Sequence, residues 1–166
     1  MGLVPDLLTL SKAIGNGWPV AAVLGRRDVL EAAAGMHYSG TFHGDTAAMA
    51  AAMATLEIEA RESAAEHAWS MGERLISGLA SIARAHGIAA EVYAEPLPPM
   101  PFVRFHDADA EVNERVKRTF YEQTLEAGVL FHPRHMWFLS AAHSAMDVER
   151  ALGAADKAMA AAKRAV

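Results

Sequence analysis

A chain of 166 residues, 52% apolar and 21% charged, has the balance of a folded globular protein. It is long enough for one domain, or for part of a large domain with a small domain attached. The net charge of −5 is spread along the chain, without a Lys/Arg cluster dense enough for nucleic acid or anionic lipid, and no apolar window reaches the roughly 20 residues of a membrane span.

There is no cysteine, which excludes a disulfide framework and a thiolate metal site. No basic leader precedes the first apolar stretch, and the expectation is a cytoplasmic protein with neither nucleic-acid nor membrane partners. Residues 7–14 are apolar except for Thr9, Ser11 and Lys12, the pattern of a short buried strand with a polar tip. Gly15-Asn16-Gly17-Trp18-Pro19 must then turn the chain. Residues 20–24 form a second apolar run closed by Gly25, and a helix is expected to follow through Ala34, with Asp28 as its cap and Gly35 just beyond it.

Residues 46–87 are Ala-rich and almost free of helix breakers, far longer than a mean helix of about 11–12 residues. The spacing predicts two helices divided near residues 61–63. The first, nearly all Ala and Met, is expected to be tightly buried. The second carries Ala68, Gly72, Leu75, Ile76, Leu79 and Ile82 on one stripe. Trp69 and Met71 on this helix read as core.

Prolines at 96, 98, 99 and 101 exclude helix and predict an exposed connection near a subdomain boundary. Phe102-Val103-Arg104-Phe105 reads as a strand, and Val112, Val116 and Phe120 mark a helix that Gly128 can end in the left-handed conformation. Residues 129–131 and 137–140 are two further short apolar runs, expected as strands. Ser144-Ala145-Met146-Asp147 resembles a capping box opening a last helix that buries Val148, Leu152, Ala155, Met159 and Ala162. This order indicates an α/β piece followed by a compact α+β unit.

A lysine closing an apolar strand can lose its proton on partial desolvation, and the neutral amine attacks aldehydes. By spacing alone Lys12 is more often an ordinary strand-end lysine than a catalytic one. His132, His135 and His143 do not read as a metal centre, because Pro133 interrupts the first pair and no carboxylate stands at ligand spacing. A nucleophile elbow, a P-loop and a complete dinucleotide fingerprint are all missing.

Three ordered strings alter the weighing of Lys12. Pro5-Asp6-Leu7 followed by Ser11-Lys12-Ala13-Ile14-Gly15-Asn16-Gly17-Trp18-Pro19-Val20-Ala21-Ala22 resembles the cofactor-lysine segment of class III pyridoxal-phosphate (PLP) aminotransferases. Ser39-Gly40-Thr41-Phe42-His43-Gly44-Asp45 is similar to that family's phosphate-binding threonine loop, and Phe138-Leu139-Ser140-Ala141-Ala142-His143-Ser144 resembles the final-strand segment of its glutamate-1-semialdehyde aminomutase branch. Two departures stand out: Gly44-Asp45-Thr46 replaces the usual Gly-Asn-Pro, and His135 stands near the place of the branch's glutamate.

The resemblance implies an α/β fold: the carboxyl-terminal part of a fold type I PLP-dependent large domain over residues 1–62, then a small α+β carboxyl-terminal domain with its connecting helix over residues 63–166. It implies PLP as cofactor, Lys12 as the residue that joins it and shuttles protons, and Gly40 and Thr41 on its phosphate. The threonine would serve the neighbouring subunit of a homodimer. Arg134 is a candidate for the carboxylate of a small amino- or keto-acid substrate, since a guanidinium grips a carboxylate through two parallel hydrogen bonds. No metal is expected.

The lysine motif follows Met1 so closely that the chain is expected to begin mid-fold. In the family an acidic partner for the pyridine nitrogen, a ring-stacking aromatic and a phosphate-binding turn precede the lysine. Transamination or amino-group migration is thus expected to need that part of the fold from elsewhere. The alternative is a non-catalytic fragment that keeps dimerisation or partner-binding surfaces.

Overall fold

The computed structural model describes residues 2, 4–37, 39–94 and 96–164. Its mixture of helix and strand divides into two compact units, Met1–Ser63 and Ala64–Val166.

In the first unit, β1 (Leu7–Leu10) pairs antiparallel with β2 (Ala22–Gly25), Leu7 opposite Gly25 and Leu10 opposite Ala22. Gly25 is required by the pairing, because a Cβ there would lie 2.3 Å from the Asp6 carbonyl oxygen. The expected buried strand is shorter and more open than its composition suggests. It stops at Leu10, and Leu7 and Leu8 are 47% and 45% exposed, because a two-stranded ribbon has no covering layer within this unit.

Helix α1 (Arg27–Ala32) follows, with Arg26 rather than Asp28 at the cap position. Asp28 instead pairs with the Arg26 guanidinium, which also reaches Asp6. Helix α2 (Thr46–Glu62) ends at Ser63 in the left-handed conformation, φ 51°, which supplies the expected division of the long Ala-rich run. Tight burial of α2 is not found: only Ala48 and Ala52 are buried among its described residues, while Met53 and Leu56 are more than half exposed.

The second unit contains α3 (Ala64–His86), β3 (Ala90–Tyr93), β4 (Phe102–Phe105), α4 (Ala110–Glu126) and α5 (Ala145–Arg164). The two strands pair antiparallel, Ala90 opposite Phe105 and Tyr93 opposite Phe102. The core gathers Leu75 and Leu79 from α3, Val103 and Phe105 from β4, Phe120 from α4, and Val148 and Met159 from α5. Alanines 155, 158 and 162 present a flat, fully buried face on α5, and Gly78 of α3 admits the Leu152 side chain, which a Cβ would meet at 2.5 Å.

Helix ends in this unit follow the sequence closely. Asp109 accepts hydrogen bonds from the N–H groups of Glu111 and Val112, and Gly128 stands at φ 77° after α4. Ser144 and Asp147 close a reciprocal capping box: the Asp147 carboxylate accepts the Ser144 N–H at 2.8 Å, and the Ser144 hydroxyl accepts the Asp147 N–H at 3.2 Å.

The proline-rich stretch is no boundary. It lies inside the second unit, where Pro101 is fully buried and a Cβ on Gly72 of α3 would stand 2.1 Å from the Pro98 carbonyl oxygen. The two apolar runs expected as strands, 129–131 and 137–140, are irregular in structure. The second runs beside the prolines: Trp137 N–H donates to the Pro101 carbonyl at 2.9 Å and Leu139 N–H to the Pro99 carbonyl at 2.8 Å. Prolines accept but have no N–H to return, so the pairing stays one-way and a regular ladder cannot form.

Candidate active site

Lys12 begins a 3-10 turn, Lys12–Gly15, directly after β1, and its backbone lies at φ 54°. That left-handed conformation costs a non-glycine residue roughly 1–2 kcal/mol and is retained only where the surroundings impose it. The Ser11 hydroxyl donates to the Val20 carbonyl at 3.3 Å, tying the two ends of the turn together. Gly15 is buried where a Cβ would stand 2.6 Å from Val20 Cγ1, and Gly17, at φ 104°, carries the chain back. Helix α2 packs against this turn. The sheltered lysine expected at a strand tip is not formed within this unit: the Lys12 side chain is exposed.

Gly40 and Thr41 line a hollow of about 590 Å³ together with Ser11, Val20, Phe42 and Asp45. Lys12 does not line it, although its neighbour Ser11 does. Turn hydrogen bonds from His43 N–H to the Gly40 carbonyl and from Asp45 N–H to the Phe42 carbonyl hold the loop. Among the described residues, the N–H groups of Thr41 and Phe42 and the Thr41 hydroxyl make no hydrogen bond, so donors that suit a phosphate remain available.

The start of α2 is not among those donors. Asp45 caps it, accepting from Ala47 N–H at 3.0 Å and Ala48 N–H at 3.4 Å, so a carboxylate already occupies the anion-favouring end of this helix. The aspartate directly before a helical run was the signal for this cap.

Arg134 belongs to the second unit, in the irregular segment between α4 and α5, and its side chain is exposed. Its guanidinium makes no ion pair or hydrogen bond with the described residues. Its N–H donates to His132 Nδ1 at 3.2 Å, and the His132 carbonyl accepts the Trp137 indole N–H at 3.0 Å. Sequence reasoning had no means of finding a second hollow of about 680 Å³ in this unit, floored by Leu75, Phe131, Trp137 and Val148 and rimmed by His132 and Arg150. Among the described residues, no three His, Cys, Asp or Glu side chains converge as metal ligands, and no helix is long and apolar enough to cross a membrane.

Residues 1–151 match the family model for class-III aminotransferases. The chain belongs to that family. It is 36% identical to glutamate-1-semialdehyde 2,1-aminomutase of Thermus thermophilus over 96% of its own length and 40% of the relative's. It is 34% identical to an aminopentol aminotransferase of Sphingopyxis macrogoltabida over 99% of its length, 38% of that enzyme's.

Among solved structures, the PLP internal aldimine form of the Sphingopyxis FumI protein superimposes with a TM-score of 0.88 at 34% identity, over 98% of this chain and 38% of that one. An omega-transaminase of Sphaerobacter thermophilus, 21% identical with a TM-score of 0.79, shares the fold. The chain thus spans about two fifths of the length of these relatives. The resemblance to the aminomutase branch and to a fold type I transferase is borne out, and PLP is the cofactor of the family.

The described residues fit the two ends of that cofactor. An exposed amine on a strained turn suits its aldehyde, and a loop with unused N–H and hydroxyl donors suits its phosphate.

Proposed function

We propose that this chain supplies the lysine-bearing and phosphate-binding parts of a PLP-dependent enzyme that transfers or relocates an amino group on an amino-acid-like substrate. The observation that carries the proposal is the Lys12 turn, an exposed amine held at positive φ by a glycine-dependent bend and a side-chain tie. Residues 1–62 are assigned to a partial cofactor-binding large domain and 63–166 to the small domain with its connecting helix.

When bound, PLP supplies an aldehyde that condenses with amines and a ring that takes up the electron pair left on carbon. Lys12 Nζ would hold PLP through its aldehyde, and the same amine, once released, would be the group that takes and returns a proton beside the substrate's amine-bearing carbon. The N–H groups and hydroxyl of Gly40 and Thr41 hold the phosphate, while Arg134 grips the substrate carboxylate. A homodimer is part of the reading, supported by the absence of Lys12 from the hollow that Thr41 lines within one chain. The same reading assigns a small amino or keto acid as substrate and the cytoplasm as compartment.

A second reading, a non-catalytic piece that keeps association surfaces, is favoured by the apolar side chains left open in the first unit, Val23, Leu24, Met53 and Leu56 among them. The two separate in a PLP titration followed by visible absorption. The enzyme reading expects a band that Lys12→Ala abolishes and that Thr41→Ala retains with affinity weakened about tenfold or more. A wild-type protein giving no lysine-dependent band would leave the non-catalytic reading.

A further inference from the structure

Arg134 stands in an unusual local arrangement, closed on itself by one residue. The His132 side chain accepts the Arg134 N–H through Nδ1 at 3.2 Å, and the His132 carbonyl accepts the Trp137 indole N–H at 3.0 Å. Pro133 lies between His132 and Arg134 and fixes one backbone angle of the turn. At its far end the loop is anchored: Trp137 is buried, its ring lies tilted against Phe131 with centroids 4.3 Å apart, and its backbone N–H donates to the Pro101 carbonyl. Arg134 projects from this frame with its guanidinium unpaired among the described residues.

We infer that His132 is a positioning residue for Arg134: its Nδ1, acting as an acceptor, folds residues 132–134 into the turn that presents the guanidinium. The geometry is that of a side chain capping the N–H two residues ahead, the role Asn and Asp play in an Asx-turn. An imidazole can play it only while Nδ1 keeps its lone pair. Protonation makes both ring nitrogens donors, so Nδ1–H would face N–H and the turn would open.

His135 on the same loop has its ring 6.1 Å from that of His132, edge to face. The remaining titratable and charged groups around the hollow are His143, Asp147 and Arg150, the carboxylate being held in the capping box of α5. With His132 itself, three histidines and one arginine thus line the hollow with a single acid. The inference rests on the reading of Arg134 as the substrate-carboxylate residue only for its consequence; the turn itself stands apart from it.

The 166-residue chain, isotope-labelled for NMR, tests both parts. Hydrogen exchange of the Arg134 amide is expected to be slowed about five- to tenfold at pH about 8 relative to pH about 5, after correction for intrinsic rates. His132→Ala should lose that protection at both pH values. His132→Asn, whose amide oxygen accepts in the same place but does not titrate, should keep it at both.

Unchanged protection in His132→Ala, or failure of His132→Asn to restore it, overturns the inference. Titration with glutarate, read on the Arg134 side-chain Nε signal, addresses the other reading separately. A shift that weakens severalfold in His132→Ala and recovers in His132→Asn joins the two. Protection that follows His132 while glutarate leaves Nε unmoved keeps the turn and removes the carboxylate role of Arg134.

Discussion

Replacing Gly72 by alanine puts two opposing effects on one atom. In the interior of α3, alanine is worth about 1 kcal/mol more than glycine by helix propensity. The added Cβ, however, would lie 2.1 Å from the Pro98 carbonyl oxygen, 2.4 Å from its carbon and 2.8 Å from the Pro99 nitrogen. These are backbone atoms of a proline-rich strap and cannot swing aside as a side-chain tip can. Overpacking in a tight site costs about 1–3 kcal/mol, and more where the obstacle is rigid, so the clash exceeds the propensity gain.

The expected outcome for Gly72→Ala is a net loss of about 1–2 kcal/mol, seen as a lower urea midpoint by circular dichroism with unchanged slope. Because Pro99 and Pro101 hold the N–H groups of Leu139 and Trp137, near-ultraviolet signals from Trp137 should change as well. Gly153, inside α5 with open space where its Cβ would go, is the control: Gly153→Ala should gain up to about 1 kcal/mol. A Gly72→Ala protein as stable as the parent, alongside a stabilised Gly153→Ala, would refute the close approach of the strap.

Two pH effects follow from the second unit. The hydrogen bond from the Ser144 hydroxyl, helped by the Ser144 N–H, holds the Asp147 carboxyl below the usual carboxylate range. A depressed carboxyl pKa gives stability that is present above the unfolded value and lost as pH falls through the folded one. Ser144→Ala should therefore flatten the acid limb of a urea-midpoint profile, and an unchanged limb would count against the capping box as its source. Burial pushes the Tyr121 phenol up to about 12. A raised pKa stabilises fully below the unfolded value of about 10 and is lost as pH rises toward the folded one, so Tyr121→Phe should remove part of the alkaline destabilisation.

Several helix ends and the buried face of α5 were legible because their signals are local. The division at Ser63, the left-handed Gly128, the Ser144–Asp147 box and the Val148, Ala155, Met159 and Ala162 face all follow from residue type and spacing. Strands were less legible because a strand needs a neighbour that can both give and take hydrogen bonds. Residues 137–140 have the apolar character, but the prolines beside them cannot return an N–H.

Burial in the first unit departs from its composition for a related reason: the apolar residues of β1 and α2 call for a covering surface that the described residues of this unit do not supply. Of the candidate site, Lys12, Gly40 and Thr41 came from ordered motifs. The Asp45 cap and the His132 turn depend on which atom meets which N–H, and that is visible only in three dimensions.

Borohydride reduction of the protein mixed with PLP, followed by peptide mapping, bears most directly on the claim that Lys12 carries the chemistry. A pyridoxyl group is expected on Lys12 in preference to Lys117, Lys157 and Lys163, and should be lost when excess inorganic phosphate competes for the Thr41 loop. Labelling spread evenly over the four lysines, or Lys12 left unmodified in a folded sample, would contradict it.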